Sequence, residues 1–226
     1  MKTMSVKLSQ STLEWANDLL DELFSLGFEE TINPKMGYYR AQKLDDWCRA
    51  NKKYIKAHGL KFYHGITKIC IVDPLNNDWV IKINFIIPNE SDFCNIEADN
   101  YKKACENGLQ DYFAATYKIS YPCKTTICLQ EQVKPKEDYI DSLFYDAASS
   151  EFDKEDYENE DDYFDDINYK VDDFTEEDRI TAIYGFSPEI SRLINFIYDN
   201  EICDLHAGNW GTNSQGDIVM IDYSGC

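Results

Sequence analysis

Positive charge is what this chain is short of. Its 226 residues carry 22 Lys and Arg against 42 Asp and Glu, a formal net charge of −20. Binding to nucleic acid relies on clustered Lys and Arg at the phosphates, so that class of partner is excluded. A single nucleotide is not excluded, because one small basic pocket is enough to hold it. Long apolar runs are also missing. None spans a bilayer, and residues 1–10 lack the apolar core of a signal peptide, so the expectation is a cytoplasmic protein without a membrane partner. The eight cysteines include no Cys-x-x-Cys pair. Most lie in apolar or helical contexts, which suits buried, reduced thiols. Cys203 and His206 have a metal-like spacing, but no second ligand pair stands near them, and the structural reading is preferred. What is present is material for a core: 43% hydrophobic and 14% aromatic residues, enough for one good core or two small lobes.

Hydrophobic periodicity divides the chain. Leu13, Ala16, Leu19, Leu20, Leu23 and Phe24 recur at helical spacing after Ser11 or Thr12, and Gly27 closes that helix. A second helix is expected over 41–57, ending at Gly59. Strand character follows at 60–64, 67–72 and 79–87, with a turn at 73–78. This predicts a three-stranded antiparallel meander. A helix over 95–107 and strands at 119–121 and 126–133 come next. Ser187-Pro188-Glu189 opens a further helix, with serine as cap and proline in the first turn. Its apolar stripe is Ile190, Leu193, Ile194, Ile197 and Tyr198.

Residues 151–178 change the composition abruptly. They hold fifteen Asp or Glu and two Lys, a net of −13 within the chain's −20, with Tyr157, Tyr163, Phe164, Tyr169 and Phe174 interleaved. Two readings stay open: a solvated, partly disordered insertion, or an acidic-aromatic segment that binds a protein partner. A calcium site fits poorly, because the spacing departs from the twelve-residue calcium loop and glycine is absent.

The strongest chemical signal is in the last twenty-five residues. Asp204-Leu-His206-Ala-Gly-Asn209 is followed, thirteen residues on, by Asp222-Tyr-Ser-Gly. A strand over 218–221 would form a hairpin and return Asp222 to the side of Asn209. Upstream, Val80-Ile81-Lys82-Ile83 places a lysine inside an apolar strand. That position is costly unless the lysine is paired, although an outward-facing edge lysine is the plain alternative. Glu97 on the next helix is the best partner; Glu106 is at the wrong end, and Asp99 faces another side.

These motifs resemble the protein-kinase-like superfamily, closest to the Asp-x-His-x-Gly-Asn form of aminoglycoside- and choline-kinase-like enzymes. The resemblance covers roughly 60–226. It implies an α+β, two-lobed fold with an antiparallel five-stranded N-lobe and a reduced, mainly helical C-lobe. On that view residues 1–59 are a helical extension, 60–133 the N-lobe, and 134–226 a minimal C-lobe with the acidic insertion. The activation segment and substrate-seating helices of the family have no counterpart in the sequence, so the acceptor, a small molecule or a protein, is not specified. The resemblance implies ATP and Mg2+ as cofactors. Asp204 would orient the acceptor hydroxyl, Asn209 and Asp222 would hold magnesium, and Lys82, fixed by Glu97, would grip the phosphates. His206 would either sit near the transferred phosphoryl group or brace the loop by a hydrogen bond. The glycine triplet of the phosphate-covering loop is absent. Only His64-Gly65-Ile66-Thr67-Lys68 stands there, with Gly65 and Thr67 as contacts. Leu129 to Val133 resembles the hinge, with Gln130 in the gatekeeper place and the backbone of Glu131 and Val133 facing adenine. The implied function is phosphotransfer to a hydroxyl. The alternatives are a nucleotide-binding pseudokinase or regulatory protein, and a nucleotidyltransferase.

Overall fold

A computed structural model describes residues 7–33, 40–86 and 91–224. The chain divides into two units, 1–132 and 133–226. The first holds helices α1 (Gln10–Ser25), α2 (Glu29–Ile32), α3 (Arg40–Ala50) and α4 (Lys52–His58). Strands β1 (Lys61–His64), β2 (Lys68–Val72) and β3 (Trp79–Asn84) follow, then α5 (Phe93–Asn107), β4 (Thr116–Ile119) and β5 (Ile127–Glu131). The expected 41–57 helix is therefore two helices, broken at Asn51. The fourth strand lies three residues earlier than its predicted start, and Val133 is outside the fifth. Ile87, at the end of the predicted third strand, lies outside the described residues.

The five strands form one antiparallel sheet in the order β1-β2-β3-β5-β4. Alternation along the strands gives it two unlike faces. On one face Ile69, Ile71, Ile81, Ile83, Ile127 and Leu129 are almost completely buried. Phe62 shares this face through its pairing with Ile71, and its ring meets those of Phe28 and Trp47 from the helical extension. The other face receives α5. There Cys128 Sγ donates to the Cys94 carbonyl, and Cys94, Ala98 and Cys128 pack together. Helix α5 begins where Asp92 accepts the Asn95 N–H and stops at Gly108, whose φ of 69° suits the left-handed cap.

The second unit holds α6 (Glu137–Ser149), α7 (Glu160–Asp172), α8 (Glu176–Tyr184) and α9 (Pro188–Asp199), with a small sheet of β6 (Lys134–Pro135), β7 (Trp210–Thr212) and β8 (Ile218–Met220). Helix α9 starts as expected, with Ser187 Oγ accepting the Ile190 N–H and proline in the first turn. Its buried stripe is Ile190, Leu193, Ile194, Phe196 and Ile197, whereas Tyr198 faces solvent. The acidic segment is not an unstructured insertion. Most of it is helix: α7, capped by Asn159, and the start of α8, closed by a capping box of Thr175 and Asp178. Ile167 is the one α7 side chain fully buried. The aromatic rings instead pack locally, Tyr157 on Tyr163 and Tyr163 on Phe164. Tyr169 stays 70% exposed.

Candidate functional site

In the first unit the site is built on the α5 face of the sheet. Lys82, in the central strand β3, is buried and donates to both oxygens of Glu97, at 3.2 Å to Oε1 and 3.1 Å to Oε2. Glu97 is itself 0% exposed. The outward-facing lysine of the plain reading is thereby ruled out, and Asp99 is exposed as expected. A second lysine joins the pair. Lys68, the first residue of β2, donates to Glu97 Oε1 at 2.6 Å, the shortest bond that carboxylate makes to either lysine. Lys68 lies opposite Asn84 in the register, and Lys82 lies opposite Cys70, so both lysines project from the same face of neighbouring strands. Nothing in the motif comparison pointed to Lys68. The signal was its phase: in β2 it alternates with Ile69 and Ile71, which belong to the opposite face.

The β1–β2 turn is short. The Gly65 N–H donates to the Lys68 carbonyl at 3.0 Å, so that amide is spent closing the turn and is not offered to a phosphate. The Thr67 carbonyl accepts from the Phe85 N–H. A Cβ at Gly65 would meet nothing within 4 Å, so the space over the turn is open. Arg40 of α3 donates to the Ile66 carbonyl at its tip and lies 5.9 Å from the Phe85 ring. At the far end of the sheet, Gln130 is buried on the lysine-bearing face and donates to Thr116 Oγ1. The Glu131 N–H donates to the Ala115 carbonyl, and the Gln132 N–H to the Asp78 carbonyl.

In the second unit the loop after α9 carries Asp204 at φ 61°, a left-handed conformation uncommon outside glycine but one that aspartate adopts more readily than most, and its surroundings fix it there. They do so from two sides. Asn209 Nδ2 donates to the Asp204 carbonyl at 2.7 Å. Glu176, the first residue of α8, receives the N–H of Asp204 at 2.9 Å on one oxygen and that of Leu205 at 3.2 Å on the other. Burial pushes the Glu176 carboxyl above its ordinary value, and the two N–H groups and the Arg179 charge do not cancel that rise. Sequence reasoning placed Glu176 among the solvated acids of 151–178; its chemistry was hidden because the loop it holds is twenty-eight residues away.

His206 braces this loop. Its Nδ1 accepts the Gly208 N–H at 3.1 Å, which leaves the proton of the neutral ring on Nε2. A Cβ at 208 would lie 2.9 Å from the His206 ring and would push that ring aside. The β7–β8 hairpin then returns the chain. Trp210 pairs with Met220, the Ile221 N–H donates to the Asn209 carbonyl at 2.9 Å, and Asp222 follows at once. Asp222 Oδ1 accepts from Ser224 Oγ at 3.1 Å. Asn209 Nδ2 is committed to Asp204, so the amide Oδ1 is the Asn209 atom suited to a cation. Among the described residues no group of three or more His, Cys, Asp or Glu is placed to hold a metal ion.

The expectation of buried, reduced thiols holds only in part: Cys94 and Cys128 are buried, Cys48, Cys70 and Cys123 are half-buried, and Cys105 is exposed. Cys48, Cys70, Cys94, Cys105, Cys123 and Cys128 are free, but Cys203, next to Asp204, is disulfide-bonded and is neither a reduced thiol nor a metal ligand. Among the described residues no helix is long and apolar enough to cross a membrane. Comparison with known proteins returned no matching family model, no matching curated protein and no matching solved structure.

Proposed function

We propose that this protein is an ATP- and magnesium-dependent phosphotransferase of the protein-kinase-like type, acting on a hydroxyl acceptor. The observation that carries the reading is the ion pair of Lys82 on the third strand with Glu97 on the following helix. Ionisable groups this deeply buried are expensive to keep, and a clamp for phosphate oxygens gives them a use. The strand order β1-β2-β3-β5-β4 supports it, as does the hairpin whose register brings Ile221, the residue before Asp222, onto the Asn209 carbonyl.

Each residue then has a task. Glu97 holds Lys82 extended, so that its ammonium meets the α- and β-phosphates. By the resemblance, the backbone of Glu131 and Val133 would meet the adenine edge. Asp204 would orient the acceptor hydroxyl and take its proton as that oxygen bonds the γ-phosphorus and the γ-phosphorus bond to the bridging β-phosphate oxygen breaks, ADP being the leaving group. The bracing of Asp204 by Asn209 and Glu176 fixes that carboxylate's backbone in advance, which is where most of the rate gain in such reactions arises. Asn209 Oδ1 and Asp222 would hold magnesium, which would supply positive charge against the phosphates. The closed Gly65 amide favours one second reading, a pseudokinase that binds nucleotide without turnover.

The test is titration of ATP with magnesium against wild type and Asp222→Ala, following thermal stability and ATP turnover. A stabilisation and turnover in wild type, both lost in the variant, are expected. Neither effect in wild type would end the enzyme reading, and a shift without turnover would favour the pseudokinase. Label in the γ- or the α-phosphate separates phosphoryl from nucleotidyl transfer.

A further inference from the structure

The geometry points to Lys68 as a second phosphate-binding lysine, so that the nucleotide's phosphate chain is gripped by two ammonium groups held on one carboxylate. The inference rests on the phosphotransferase reading for the identity of the ligand, but not for the anion site itself.

Three observations carry it. First, Lys68 and Lys82 converge. They stand on adjacent strands and the same face, and both bond Glu97 Oε1, at 2.6 and 3.2 Å. Glu97 is thus no more the holder of Lys82 than of Lys68, and whatever it does to aim one ammonium it does to both. Second, both lysines are kept in a place that charge normally avoids. They are 6% and 5% exposed, on a sheet face otherwise lined near them by Cys70, Cys128 and Ala98. A single lysine would satisfy the carboxylate there; a second adds desolvation that packing alone does not repay. Third, hydrogen-bonding capacity is left over beside Lys68. Asn84 lies directly opposite it and is 7% exposed. Its Nδ2 donates to the Phe85 carbonyl, but its Oδ1 has no partner among the described residues. An acceptor stranded at such depth suits a site completed by a hydrated ligand. Lysine ammoniums act on phosphate as point charges, and two of them side by side match the several anionic oxygens of a di- or triphosphate better than those of a single phosphate.

The probes are inorganic pyrophosphate and Mg-ATP, with binding measured by calorimetry on the full chain and folding checked by circular dichroism. Wild type is expected to bind both. Lys68→Met and Lys82→Met are each expected to weaken pyrophosphate about tenfold or more, and Lys68→Arg to retain most of the affinity. A Lys68→Met protein that folds and binds both probes as wild type does would overturn the role of Lys68 and leave the nucleotide reading standing. Pyrophosphate binding that needs both lysines, without any ATP binding, would sustain the two-lysine site and overturn the nucleotide reading. Binding of neither probe by wild type would remove both. Should Lys68→Met not fold, the Nζ signals of Lys68 and Lys82 in 15N-labelled wild type, followed by NMR, decide the matter. Shifts of both signals on adding pyrophosphate support the site, and a shift of Lys82 alone overturns it.

Discussion

Glu97 shows how much can depend on one side chain. It is fully buried and bonded to two lysines, so glutamine in its place would remove the negative charge and turn one of its two acceptor oxygens into a donor facing ammonium. Glu97→Gln is expected to destabilise the first unit by roughly 3–5 kcal/mol, the range seen when one member of a buried ion pair is removed; urea unfolding followed by fluorescence would measure it. A loss under about 1 kcal/mol would mean that the lysines find other solutions. Gly211 is a different kind of single-residue constraint. A Cβ there would sit 2.8 Å from the Lys134 carbonyl and 2.9 Å from Val133 Cγ2. Gly211→Ala should part β6 from β7 and cost about 1–3 kcal/mol as overpacking, visible as faster amide exchange in β6 and β7 while the five-stranded sheet is unchanged. At this scale the sequence was readable where a residue broke its context, as Lys82 does inside an apolar strand. It was unreadable where a residue fitted its context, as Lys68 fits the end of a polar turn.

Among the elements, α8 has the most to do with chemistry, and its carboxylate gives a pH signature. Glu176 titrates above its ordinary value of 4.5 because it is partly buried. A folded-state pKa above the unfolded one means that the folded unit holds the proton more tightly. The resulting stability is complete below about pH 4.5 and is lost as pH rises through the higher folded value. Wild type should therefore lose stability relative to Glu176→Gln as pH is raised from about 4 to 7, in thermal melts recorded on both proteins; a constant difference would show that Glu176 does not titrate abnormally. Glu176→Ala should also speed amide exchange at Asp204 and Leu205, whose N–H groups it accepts. Helices α1, α5 and α9 were legible because each joins a cap to a regular apolar stripe. Helices α6 and α7 were not. In α7 a single buried isoleucine and a row of acids leave no apolar period to detect, and its order comes from Asn159, from the edge-to-face contact of Tyr157 with Tyr163 and from packing on α6. The fourth strand was misplaced because Thr116–Ile119 carries little apolar signal of its own and owes its state to pairing with β5.

For the molecule as a whole, charge is the dominant global term. With −20 overall and −13 concentrated in 151–178, like charges repel in the folded state more than in the extended chain. Raising NaCl from about 10 to 200 mM shortens the Debye length from ~30 Å to under 10 Å. That should stabilise the protein by on the order of 1 kcal/mol, or roughly 2–4 °C in melting temperature for a chain of this size; a flat or falling curve would show that attractive ion pairs outweigh the repulsion. The acidic stretch does not tolerate change evenly along its length. Helix α8 grips the Asp204 loop through Glu176 at its start, and near its end Tyr184 donates its hydroxyl proton to the Ile218 carbonyl of the hairpin that leads to Asp222. One added residue inside α8 would swing these two holds about 100° apart around the helix axis. The same residue added between α7 and α8 would swing neither. Drift in length can therefore accumulate up to Phe174 and must stop at Thr175, which makes this helix a ruler between two parts of the chain that never touch it in sequence.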